Sequence, residues 1–225
     1  MTRLVWDKVG EHYYETGVDH VALFPMATDT HGAVKYGNGV AWNGVTAITE
    51  SPSGADETKK YADNIEYLSI RAREKFGGTI KAFTYPNEWK TCDGSASPAP
   101  GVTVGQQTRK PFGIVYRTLV GNDVDGDDLG YILHIIFQST ASPSSRDYAT
   151  TNESPEQIEF SWEFSSTPVA VSEAGYKPTC CMELDSRTVD AAKMKAVEDA
   201  LYGTESEESK FLTPDEVIAL VKNGD

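Results

Sequence analysis

Residues 55–94 read ADETKKYADNIEYLSIRAREKFGGTIKAFTYPNEWKTCDG, and the changes of character along this stretch decide the fold. β-Branched and aromatic residues gather at Ile65, Tyr67 and Ile70, and again at Thr79, Ile80, Phe83, Thr84 and Tyr85. That is strand composition, and Gly77-Gly78 between the two groups reads as a turn. Proline suits the first turn of a helix, where its missing N–H has no partner to lose. Residues 86–92 are therefore expected as one short helix before the turn Asp93-Gly94. The expectation is strand, turn, strand, helical cap.

Upstream, residues 20–28 (HVALFPMAT) are expected as a first strand. Asn38-Gly39 and Asn43-Gly44 are strong local hairpin signals, flanked by Val34, Tyr36, Val40, Trp42, Val45 and Ile48. Residues 29–50 are accordingly expected to project as a hairpin or glycine-rich loop. Tyr36, Trp42 and Val45 would then form an exposed apolar surface, which on a folded chain usually means a partner. The alternative is that the segment folds back on its own sheet. Residues 1–17 mix charge, aromatics and glycine without a period, and read as an arm that orders only against something else, through Trp6, Tyr13 and Tyr14.

Downstream, residues 95–107 read as a surface loop. Phe112, Ile114 and Tyr116 alternate along one strand, and residues 131–139 (YILHIIFQS) are apolar on both faces of another. Gly121–Gly130, with Asp123, Asp125, Asp127 and Asp128, is the expected turn between them. Ile158, Phe160, Trp162 and Phe164 alternate with Glu159, Ser161, Glu163 and Ser165, so one face is buried and the other wet and acidic. Residues 188–202 read as a packing helix stopped by Gly203. Residues 204–225 read as an acidic linker and an appended helix, opened by a capping box at Thr213–Glu216 and stopped at Asn223-Gly224. The fold class is mainly β (α+β): one antiparallel sandwich or barrel domain over residues 18–203, with a flanking helix, a projecting segment and a short C-terminal helix.

The chain has 225 residues, enough to bury roughly 70% of its unfolded surface. A net charge of −14 and a pI near 4.7 argue against a surface built to neutralise phosphates. No apolar run is long enough to span a bilayer, and the first residues lack a signal-peptide pattern. Three cysteines, with Cys180 and Cys181 adjacent, suit a reducing compartment; the pair reads as small buried residues or as a redox or metal pair.

Catalytic chemistry finds little to use. The Asp123–Asp128 turn has a calcium loop's oxygens but not the EF-hand spacing, leaving a solvated turn as the competing reading. Glu159 and Glu163 stand roughly 13 Å apart by strand rise, wider than a glycosidase pair. His12, His20, His31 and His134 have no metal-ligand spacing, and no nucleophile elbow, phosphate loop or dinucleotide fingerprint occurs. No enzyme activity, cofactor or metal is expected.

Three ordered segments carry a family resemblance: residues 55–94 as quoted, residues 109–123 (RKPFGIVYRTLVGND), and residues 212–225 (LTPDEVIALVKNGD). From about Val18 to the end the chain resembles the major tail proteins, or tail tube proteins, of long-tailed bacteriophages of Gram-positive hosts. The resemblance implies a β-sandwich flanked by a helix, assembling into hexameric rings that stack into a tube. It also implies synthesis in the host cytoplasm, residence in the virion tail, and contacts with tape-measure, tail terminator and tail-tip proteins. DNA would pass through the lumen without specific binding, and this chain would not insert into a membrane. On that footing Asp123, Asp125, Asp127, Asp128, Glu159 and Glu163 are candidates for a lumen face that repels DNA, and Trp6, Tyr13, Tyr14, Tyr36, Trp42 and Val45 for subunit contacts. Two other classes compete: a monomeric β-sandwich binding module using Tyr36 and Trp42 as a stacking platform for glycans or receptors, and, more weakly, an acid–base enzyme using Glu159 or Glu163.

Overall fold

The structure, a computed structural model, describes residues 3–28, 34–151, 153 and 157–222. Residues 29–33 of the expected projection, with His31, and the helix stop Asn223-Gly224 lie outside these residues. In chain order the strands are β1 (Tyr14–Thr28), β2 (Val34–Tyr36), β3 (Val40–Ala41), β4 (Val45–Glu50), β5 (Ser53–Gly54), β6 (Glu57–Ala62), β7 (Ile65–Arg71) and β8 (Glu74–Ala82). Then follow α1 (Trp89–Asp93), β9 (Ala96–Ala99), β10 (Val102–Val104), β11 (Phe112–Asn122), β12 (Gly126–Ala141), β13 (Phe160–Ser166), β14 (Cys181–Asp185), α2 (Ala191–Tyr202) and α3 (Pro214–Lys222).

The fold is mainly β and antiparallel. One sheet runs β2-β1-β11-β12-β13-β8-β4, with β3, β5 and β14 paired at its borders; β9–β10 and β6–β7 are separate two-stranded ribbons. The long strand β12 holds this sheet together by changing partners. Ile132–Ile136 pair with β14, whereas Ser139–Ala141 pair with β13. Between the two runs Gln138 takes φ 38°, an irregularity that bends the strand. The second half of the sheet therefore folds over the first.

Both faces of the central strands are covered, which explains why β11 and β12 are apolar on both sides. On one face Leu23, Ile114 and Ile136 meet Ile80, Trp162 and Phe164 of the folded-over half. Trp42 and Trp89 close this core, with ring centroids 4.6 Å apart, and Trp89 stands 5.4 Å from Trp162. On the other face Leu133, Ile135 and Phe137 are covered by Met194, Val197 and Leu201 of α2, Val217 of α3, and Phe211.

Several expectations change. Gly77-Gly78 is no turn: both glycines lie inside β8, where a Cβ would come 2.6 Å from the Phe164 carbonyl and 2.1 Å from that of Thr49. They are glycines because neighbouring backbones approach that closely. The two expected strands are joined instead at Ala72-Arg73, and a tight turn lies earlier, at Asp63-Asn64 between β6 and β7, with φ 52° and 64°, the double left-handed geometry of a hairpin. Residues 29–50 do not project as a unit either. β2 and β3 pair with β1, while β4 pairs with β8, so Asn43-Gly44 is a corner between sheet halves and not a hairpin tip.

The expected ten-residue turn between the central strands shrinks, because Val120 pairs with Gly130 and Asn122 with Gly126. Pro86 opens a run of i→i+3 bonds, Pro86 to Trp89 and Asn87 to Lys90, that feeds α1. α2 starts at Ala191 because the Asp190 carboxylate accepts from the Ala192 and Lys193 amides at 2.9 and 3.3 Å. The capping box of α3 forms as expected: the Thr213 amide donates to Glu216 at 2.8 Å, and the Glu216 amide to the Thr213 hydroxyl at 3.4 Å. The C-terminal segment is no appendage, however. Phe211 and Leu212 are buried, and Phe211 lies over Gly113, where any side chain would strike its ring.

Candidate assembly surface

Excised from the body, β6 and β7 form a two-stranded ribbon whose residues are all exposed. The Ala72 amide donates to the Asp56 carbonyl at 2.8 Å and closes its base. Pairing places Thr58 opposite Ile70, Lys60 opposite Leu68 and Ala62 opposite Ile65, with a register shift after Lys60. Opposed residues share a face, so Ala62, Ile65, Leu68 and Ile70 form one apolar face crossed by the Lys60 stem. The opposite face carries exposed Tyr61 among polar groups: Lys59 reaches Glu66 at 2.8 Å, and Ser69 hydrogen-bonds Glu57. Ile65 is 63% exposed, Leu68 47% and Ile70 50%; Tyr67, beside the shift, is also exposed. An isolated hairpin is marginal in water, and this one turns an apolar face outward.

The arm is partly docked. β1 begins at Tyr14, within the stretch expected to be free. Ahead of it the Gly10 amide donates to Asp123 at 3.0 Å, Asn122 donates to the Gly10 carbonyl at 3.1 Å, and the Tyr14 hydroxyl donates to Asp127 at 2.8 Å. Burial opposes the charged form of Asp123, yet amide hydrogen bonds from its own N–H, Gly10 and His12 outweigh it and hold the carboxyl below its ordinary value. The Asp127 hydrogen bond pushes the Tyr14 phenol up. Tyr13 lies under the Arg187 guanidinium at 5.2 Å. Leu4, Val5, Trp6 and Val9 remain exposed.

The other expected contact residues are placed differently. Trp42 is 3% exposed, its indole N–H donating to the Thr84 carbonyl at 2.8 Å, so it is a core residue and no surface platform. Tyr36 is half-buried against Phe211, ring centroids 4.1 Å apart, and Val45 packs on the tryptophan core. The apolar tips of residues 34–50 were drawn inward because this segment bridges the sheet halves.

Of the acidic candidates, Asp123 and Asp127 serve the arm, Asp125 accepts from Asn122 at 3.0 Å, and Asp128 is exposed at the start of β12. Glu159 and Glu163 both point to solvent, as the alternation requires. The Thr46 hydroxyl at 2.6 Å, aided by Lys81 at 3.5 Å, lowers the pKa of Glu159 and keeps it ionised, while the Lys81 charge offsets part of the negative charge of that face. Cys180 is buried and Cys181 half-buried, and burial pushes the Cys181 thiol up to about 11. Among the described residues no group of three or more ligating side chains could hold a metal ion, and no helix is long and apolar enough to cross a membrane.

The hairpin at residues 57–71 escaped sequence reasoning. Its signal, Asp63-Asn64 between Tyr61 and Ile65, was present but weaker than the glycine pair downstream. Comparison with known family models finds no match to this chain. Comparison with curated proteins likewise finds none that matches it.

Proposed function

We propose that this chain is a structural protein that assembles with copies of itself, as a subunit of a phage-type tail tube. The observation that carries the reading is the outward apolar face of the β6–β7 hairpin, Ile65, Leu68 and Ile70, which touches nothing in its own chain's cores. A second copy can cover it and extend its backbone pairing, as sheet edges commonly do. The exposed arm residues Leu4, Val5 and Trp6 add a second apolar contact. Stacked rings, hexameric by the family resemblance, would form a channel whose negative subunits repel passing DNA, with Glu163 and the Asp123–Asp128 turn as candidate lumen carboxylates. In this reading the protein resides in the virion and meets the tape-measure, terminator and tail-tip proteins.

The competing binding module loses its platform, since Trp42 is buried and Tyr36 is packed on Phe211. Negative-stain microscopy of concentrated protein tests the proposal. Hollow tubes or rings are expected; a monomer at every concentration and salt refutes it.

A further inference from the structure

The four tryptophans divide unequally between core and water. Trp42, Trp89 and Trp162 are buried, whereas Trp6 is 73% exposed beside exposed Leu4 and Val5. The arm that carries them is held at the closed end of the central hairpin, where the Gly10 amide meets Asp123 and Asn122 pairs with Gly126. Towards the open end, a mainly apolar groove of about 430 Å³ lies between the 171–179 segment and α3, lined by Val171, Tyr176, Pro178, Met182 and Ile218. Tyr176 and Pro178 are exposed and the other three half-buried, so the groove is reached directly from solvent. Charged groups also line it: Lys177, exposed, and Glu173, which pairs with Lys222 at 2.7 Å. Met182 pairs with Ile135, nine residues along β12 from Gly126, which puts the groove about 30 Å from the closed end. The six residues from Gly10 back to Leu4 span at most about 21 Å. A docked arm therefore cannot lay Leu4, Val5 and Trp6 in the groove of its own chain.

We infer that the groove between residues 171–179 and α3 receives Leu4, Val5 and Trp6 of a second copy. Trp6 is the anchor, a large side chain for an apolar hollow. Arg3 and Asp7 flank the apolar triplet, and the groove offers a partner of opposite sign for each in Glu173 and Lys177. The β6–β7 ribbon fits less well, because it presents a face two strands wide, whereas a single extended arm can enter a hollow of this size. The contact joins unlike surfaces at opposite ends of the strand axis, so it repeats head to tail and gives a stack of copies a direction. The partner, a second copy, rests on the assembly reading; the groove is a surface that reading leaves unassigned.

Trp6 reports on the contact itself, because the other tryptophans are already shielded. Acrylamide quenching of tryptophan emission is followed across the concentrations at which sedimentation velocity detects association. The readily quenched component of dilute protein is expected to be lost as copies associate. Trp6→Ala and Ile218→Asp, each verified as folded by circular dichroism, are expected to raise the concentration at which association begins about ten-fold or more. Ile218 belongs to neither core, so its replacement should leave the fold in place. If copies associate while Trp6 stays quenchable, or if folded Ile218→Asp associates like wild type, the contact is refuted and the assembly reading stands. If wild type does not associate at any concentration, the assembly reading fails and a fluorescein-labelled peptide of residues 3–9 decides the groove. Saturable binding to the Trp6→Ala chain, weakened about ten-fold or more by adding Ile218→Asp, keeps the groove as the arm's receptor. Binding to neither chain, or to both alike, removes it.

Discussion

Replacing Ile65, Leu68 and Ile70 together by threonine separates the hairpin's role in the monomer from the role proposed for it between copies. Threonine keeps strand propensity while removing most of the apolar surface. In the monomer these side chains are 63%, 47% and 50% exposed and belong to neither core. Full burial of such a side chain stabilises by about 1.5–3 kcal/mol, so covering the exposed fractions in a neighbour should contribute about 2.5–5 kcal/mol. That corresponds to about a hundred-fold to several-thousand-fold in the association constant. The monomer, by contrast, should change by less than about 0.5 kcal/mol per substitution, about 1.5 kcal/mol at most for the three, as surface substitutions do. Thermal melting at low concentration measures the second quantity and sedimentation velocity the first. A triple variant that assembles like wild type, or whose monomer loses several kcal/mol, would refute the argument that this face is reserved for another chain.

Truncating Phe211 to alanine should cost about 3–5 kcal/mol in denaturant unfolding, because its ring fills the space over Gly113 and packs on Phe24 and Phe137. A change under about 1 kcal/mol would return the C-terminal segment to appendage status. The arm should respond to acid with a definite sign. Asp123 has a folded pKa below its unfolded value, so its contribution to docking is complete above roughly pH 3.9 and disappears as pH falls through the lower folded value. Amide relaxation of residues 8–12 should accordingly show a rigid arm above the ordinary aspartate range and a mobile one only at lower pH, while Asp123→Asn should free the arm at neutral pH. Finally, burial pushes the Cys92 thiol up to about 11, so native protein at pH 7.5 should resist alkylation there until unfolded; rapid native labelling of Cys92 would contradict its placement in the tryptophan core.

What the sequence by itself determined is the periodic part of this protein. The two-sided apolar strand at residues 131–139, the alternation at Phe160–Phe164, and the capping box at Thr213 each state a local period or cap that any surrounding fold must respect. Tertiary structure decided the pairing of the shorter pieces. Asn43-Gly44 and Gly77-Gly78 have turn composition, yet one is a corner between strands with different partners and the other lies within a strand pressed by two backbones. Trp42 and Ile65 show the same limit from the side of burial. Both are large apolar residues beside turn signals, and only long-range packing sent Trp42 into the core and left Ile65 in water. Local sequence fixes which face of a strand is apolar, but what covers that face comes from elements tens of residues away, or from another chain.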